Sequence, residues 1–160
     1  MKSSKKYVVF VLFVILTYLL GYLREGVFIT INSVINKVPF PYNRAYITPP
    51  DFLYNYSLSQ LFLIKWVFTF LFFFIFLTVA VGVVHYFFHN RKYNKIVFVV
   101  FVTFFVLSFL FYTVGFLTNN LESFYPISRF FAGIVQDPFL IYLFLVLFFY
   151  TTKVYKDKVT

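Results

Sequence analysis

LFLIKWVFTFLFFFIFLTVAVGVVHYFF, residues 61–88, decides the fold. Crossing a bilayer takes about 20 predominantly apolar residues, with a range of roughly 17–25. This run exceeds that, and Lys65 is its sole formally charged side chain. Three more apolar runs accompany it, Tyr7–Leu23, Ile96–Leu117 and Pro138–Thr152, the last being the shortest. The whole 160-residue chain is 62% hydrophobic and 12% charged. Soluble domains average roughly 45–50% and 25%. A soluble fold of this size could not cover so much apolar surface, so lipid must cover it. The reading is an all-α integral membrane protein, a single domain over residues 1–160. It is a four-helix bundle with outer loops at 24–60 and 118–137.

The first run follows MKSSKK, as the apolar core of a secretory signal would. It is longer than an ordinary signal core, and no A-x-A-like site precedes Arg24, so a retained anchor is expected. Orientation follows from lysine and arginine. With the N-terminus inside, one side holds Lys2, Lys5, Lys6, Arg91, Lys92, Lys95, Lys153, Lys156 and Lys158 against Asp157, a net +8. The other side holds Arg24, Lys37, Arg44, Lys65 and Arg129 against Glu25, Asp51, Glu122 and Asp137, a net +1. The two make up the chain's +9. Both termini are therefore expected in the cytoplasm of a bacterium, with the chain in its inner membrane. On this reading the basic charge is an orientation signal, and nucleic acid is not a partner.

The outer connections differ from the short basic inner turn, HNRKYNK. Pro39, Pro41, Pro49 and Pro50 prevent helix through the first of them, and its Tyr and Phe residues suit the membrane interface. Ser57 with Gln60 has the form of a capping box, which starts the second helix at Leu58. Lys65, two turns inside, would then snorkel outward. Two stretches read as short amphipathic helices lying in the interface plane on the outer side. In ISRFFAGIVQDPF, residues 127–139, the side chains Ile127, Phe130, Phe131, Ile134 and Val135 share one face. Arg129 and Gln136 fall opposite. Asp137 then caps the last span, with Pro138 at its first position. In LREGVFITINSVINK, residues 23–37, Val27, Phe28, Ile31, Val34 and Ile35 share a face with Glu25, Asn32 and Asn36 opposite. A continuous helix here puts Arg24 on the apolar side, where it needs a carboxylate, a lipid phosphate or a route to water. The two elbows are expected to meet, bringing Arg24, Glu25, Arg129, Gln136 and Asp137 together. Such a group either holds the turns through ion pairs and caps or binds an anion or a partner, for which the planar guanidinium fork is suited.

Other chemistry finds little footing. The chain has no cysteine, which removes disulfides and thiol nucleophiles. His85 and His89 are one helical turn apart, a spacing some metal sites use, but no acidic neighbour joins them. Ser/His/Asp catalysis fails on topology, because both histidines lie inside and the acids, Asp157 excepted, lie outside. There is no glycine-rich phosphate loop. The spans carry almost no charge to relay ions or protons. Asn55-Tyr56-Ser57 matches a glycosylation sequon, relevant only in a eukaryotic secretory setting. The 28 phenylalanines read as AT-rich codon usage or as a lipid or quinone groove.

The order of features resembles the exosortase F system-associated membrane proteins of Bacteroidetes-type bacteria, over nearly the whole chain. An Arg-Glu pair closes the first span in YLREGVF. A Pro/aromatic segment leads into NYSLSQLFLIKWVF, a basic turn follows as FFHNRK, and the chain ends ISRFFAGIVQDPFLIYLFLVLFFY. That family carries paired arginines near its end, whereas Ser128 precedes Arg129 here. The resemblance implies a small protein working beside an exosortase, a multi-span cysteine transpeptidase that processes sorting signals of exported proteins. The expected function is a non-enzymatic accessory subunit without cofactors, binding a larger membrane partner through Arg24, Arg129 and their neighbours. The alternative is a lipid- or carbohydrate-handling enzyme or binder that uses those arginines on an anionic head group. Haem or metal carriage by His85 and His89 ranks last.

Overall fold

The computed structural model describes residues 2–38 and 47–157, with side chains over 6–38 and 47–153. The expectations placed on Pro39, Pro41, Arg44 and Lys158 lie outside the described residues. Among those described, every regular element is helical: α1 (Lys2–Ile35), a 3₁₀ turn (Asp51–Asn55), α2 (Leu58–Phe88), α3 (Arg91–Leu117), α4 (Leu121–Val135) and α5 (Pro138–Asp157). Three stretches are long and apolar enough to cross a membrane: Lys6–Ile35, Leu58–Phe88 and Arg91–Leu117. A fourth results if α4 and α5, bent by 54° at their junction, count as one. The chain divides into two compact units, Met1–Phe72 and Phe73–Thr160, with the boundary inside α2.

In the first unit, α1 runs 34 residues without interruption. The expected interfacial elbow after Leu23 is therefore no separate helix but the continuation of the first span. Nothing in LREGVFITINSVINK stops a helix. Gly26 costs only about 1 kcal/mol relative to Ala, and no proline or cap intervenes before Asn36. The stop is a Schellman turn: Lys37 takes a left-handed φ of 54°, Lys37 N–H donates to Val34 and Val38 N–H to Ser33, satisfying carbonyls that the helix end would orphan. Past Pro49 and Pro50, Leu53 of the 3₁₀ turn is buried with Val34 and Leu61, and Ile35 packs against them. Helix α2 begins where its capping box requires. Ser57 N–H donates to Gln60 Oε1 at 2.9 Å, and Gln60 N–H reaches back to Ser57 Oγ at 3.4 Å.

In the second unit, the end of α2 turns through His89, at a φ of 49°, into Asn90, whose side chain accepts from Lys92 N–H at 2.9 Å and starts α3. Along α3 the residues at helical spacing, Val97, Phe101, Ser108 and Gly115, are buried. A second Schellman turn ends it: Asn119 has a φ of 53°, Asn119 N–H donates to Phe116 and Asn120 N–H to Gly115. Helix α4 then packs back along α3. Phe111 stacks on Phe124 and on Phe131 (6.4 and 5.5 Å between centroids), and Phe131 in turn stacks on Phe104. A Cβ on Gly115 would lie 2.7 Å from Phe124 Cβ, so this crossing requires glycine. Helix α5 continues toward the start of α3: Phe144 stacks on Phe101, and Phe148 stacks on Tyr93 at 4.2 Å. The Tyr93 hydroxyl lies 3.3 Å from Thr151 Oγ1. Helix α4 thus runs antiparallel along α3, and α5, bent from α4 by 54°, reaches the first half of α3 through these contacts. The stretch 121–135 is thus a helix as expected, longer than read, but its partner is α3 along its length.

Candidate functional site

The sequence-nominated residues fall in different units, Arg24 and Glu25 in the first and Arg129, Gln136 and Asp137 in the second. In the first, Arg24 is half-buried and Glu25 exposed. The Arg24 guanidinium carbon lies 5.6 Å from the centre of the Phe28 ring, one turn on, a cation–π contact that explains a cation on the apolar side of α1. Another turn on, Asn32 Oδ1 accepts from Lys65 Nζ at 2.8 Å. Lys65 was expected to snorkel outward. Half-buried, it bonds α2 to α1. The rings of Phe28 and Phe72 extend the same seam, 6.1 Å apart. The Asn32–Lys65 link was missed because a wheel drawn on one helix assigns Asn32 to water. The available signal was a lysine inside an apolar run, which needs a polar acceptor. At the end of α1 an open cleft of about 390 Å³ is lined by Ser33, Val34, Lys37, Tyr54, Tyr56 and Leu61, among others.

In the second unit, Ser108 Oγ and Ser128 Oγ lie 3.2 Å apart, both side chains buried between α3 and α4. Arg129, the next residue, therefore points off the packed face and is exposed. Gly133, one turn further, has no atom within 4 Å of the place a Cβ would occupy. The helix ends at Val135, and Gln136 is its C-cap, donating its N–H to Gly133 at 3.1 Å. The sequence reading set Gln136 beside Arg129 on a polar face. In the structure its side chain is 1% exposed, because the helix stops at Val135 and the chain turns there. The Asp137 cap of α5 is present: Asp137 Oδ1 accepts from Phe139 N–H at 2.8 Å. Asp137 itself is exposed. The packed face of α4 is Phe124, Ser128, Phe131 and Val135, while Ile127 and Phe130 of the expected apolar face are exposed.

The two histidines are exposed, with ring centroids 5.7 Å apart. The Asn94 amide nitrogen lies 3.1 Å from His85 Nδ1, and Asn94 Oδ1 is buried without a partner. No group of three or more His, Cys, Asp or Glu side chains that could hold a metal ion occurs among the described residues.

In comparisons with protein-family models, curated proteins and solved structures, no match to the chain was found. The class rests on the helices themselves. Among the described residues every regular element is helical, and three or four apolar helices of spanning length are the make-up of a multi-pass membrane protein.

Proposed function

We propose that the chain is a non-enzymatic accessory subunit of a bacterial cell-envelope membrane system, of the exosortase protein-sorting type, and that it binds a larger membrane protein. The spans are α1, α2, α3 and the bent pair α4–α5, with both termini on the cytoplasmic side. That orientation is supported by nine basic residues against one acid in the segments assigned to that side. The observation that carries the reading is Arg129 and Asp137, opposite charges exposed on a helix pair that follows the apolar α3. Charges in such a place ordinarily face protein or water, because lipid does not solvate them. Arg24 and Glu25 are a second part of the contact surface. The test is recovery of a tagged chain from its native membrane in mild detergent. One partner should copurify in constant proportion, and isolation of the chain alone would refute the proposal.

A second reading is favoured by the cleft at the end of α1. Its volume is within the range of small-ligand sites, roughly 300–1,000 Å³, and it combines Lys37 with Tyr54, Tyr56 and apolar walls. An anionic lipid head group fits that composition. Lipid retained through purification and lost in Lys37→Ala would support it. Equal lipid content in both would remove it.

A further inference from the structure

We infer that Arg129, Gly133 and Asp137 form a docking stripe for one transmembrane helix of a different protein. That helix carries a carboxylate at the depth of Arg129 and a hydrogen-bond donor or cation at the depth of Asp137. The inference rests on the accessory-subunit reading and specifies its contact.

Depth comes first. The Ser108–Ser128 contact fixes the register of α4 on α3. Ser108 lies 12 residues from Ile96 and 9 from Leu117, the limits of the apolar run in α3. At about 1.5 Å per residue these are roughly 18 and 14 Å, so Ser108 is near the middle of the run and Arg129 is beside it. Asp137 follows eight residues later, past the end of α4, and lies between the level of the Phe131–Phe104 stack and that of the Phe144–Phe101 stack. An arginine close to a helix end can snorkel to the interface. Arg129 is more than two turns from that end.

Within the described residues neither charge is neutralised. Arg129 makes no ion pair, and the one bond of the Asp137 carboxylate is the cap to Phe139 N–H. Gly133 stands one turn from Arg129 and just before the bend that carries Asp137, with open space where its Cβ would be. A small residue of this kind lets a neighbouring helix approach closely. Phe130, exposed and about 60° round the helix from Gly133, offers an apolar rim to the same visitor.

A second copy of the chain does not fit. A two-fold axis along the membrane normal preserves depth, so a dimer through this face would set Arg129 against Arg129 and Asp137 against Asp137. Like charges would meet in the medium that screens them least. Complementarity requires another sequence.

The test places a photo-crosslinking residue at Phe130 or at Leu143 in the tagged full-length chain in its native membrane. It is repeated with Arg129→Glu, Arg129→Lys and Gly133→Ile. The expected result is a crosslink from Phe130 to a transmembrane helix of one partner, with an Asp or Glu within a turn of the crosslinked residue. Arg129→Glu and Gly133→Ile should each reduce it at least tenfold, and Arg129→Lys should retain most of it. A Cβ at position 133 has open space around it, so Gly133→Ile is expected at the parent's protein level, and a blot showing equal levels separates lost docking from misfolding. Crosslinks to a second copy, to lipid alone, or unaffected by Gly133→Ile would each overturn the stripe. If a partner still copurifies under those outcomes, the accessory reading stands and this face is wrong. If none copurifies, both fall.

Discussion

At Gly115 a single hydrogen atom decides how closely α3 and α4 approach. An added Cβ would sit 2.7 Å from Phe124 Cβ, and both atoms are fixed to helix backbones, so neither can rotate away. Gly115→Val should therefore push the helices apart and cost about 1–3 kcal/mol, as overpacked sites do. Unfolding titrations in mixed micelles would measure this, and a stability equal to the parent would show that the crossing is looser than described. Single residues were legible in the sequence where the physics is local. The Ser57–Gln60 box and the Asp137–Pro138 start both involve groups three residues apart or fewer, and both are present. Gln136 and Asn32 were not legible. The burial of one depends on a chain bend, and the role of the other depends on a lysine 33 residues away.

Among the elements, α1 shows what periodicity alone leaves open. A helical wheel assigns faces but does not say whether one helix or two supply them, so the span and its elbow read as separate pieces. The backbone makes them one, and proline distinguishes the two cases. At Gly26, proline would remove a helical N–H and clash with the preceding turn, costing about 3 kcal/mol or more inside a continuous helix. At a junction between two helices it would be tolerated. Gly26→Pro should accordingly lower the stability and level of the protein sharply. Gly26→Ala, whose Cβ would meet only Ile47 Cδ1 at an ordinary 3.7 Å, should match or slightly exceed the parent. Thermal melts of the two purified variants, compared by loss of helical circular dichroism, would decide. The α4–α5 pair carries the converse lesson. Its stop at Gln136 and restart at Pro138 were written in local chemistry, but the apolar stripe of α4 gives no sign whether lipid interface or another helix receives it. Only the Phe104, Ser108 and Phe111 contacts identify α3 as the receiver.

For the whole molecule, the length an apolar run needs follows from hydrocarbon thickness, which is why α2 and α3 were legible nearly to their ends, whereas the first run continues beyond Leu23 to Ile35 and the last is long enough only together with α4. Orientation depends on charge outside them, and depth on tertiary packing. Both can be measured together, because a chain without cysteine reports cleanly from single introduced thiols. Lys92 begins α3 after the basic turn, Asn120 sits in the turn after α3, and Gly133 lies along α4 opposite the middle of α3. If α3 crosses outward and α4 descends beside it, an impermeant maleimide added to intact cells should label Asn120→Cys. Lys92→Cys should react only after the inner membrane is permeabilised. Gly133→Cys should react poorly in both conditions, because thiolate formation and water access are suppressed in hydrocarbon and beneath a docked helix. Labelling of Lys92→Cys from outside would reverse the topology. Labelling of Gly133→Cys as readily as Asn120→Cys would return α4 to the membrane surface, where Arg129 and Asp137 could be solvated by water and would need no partner.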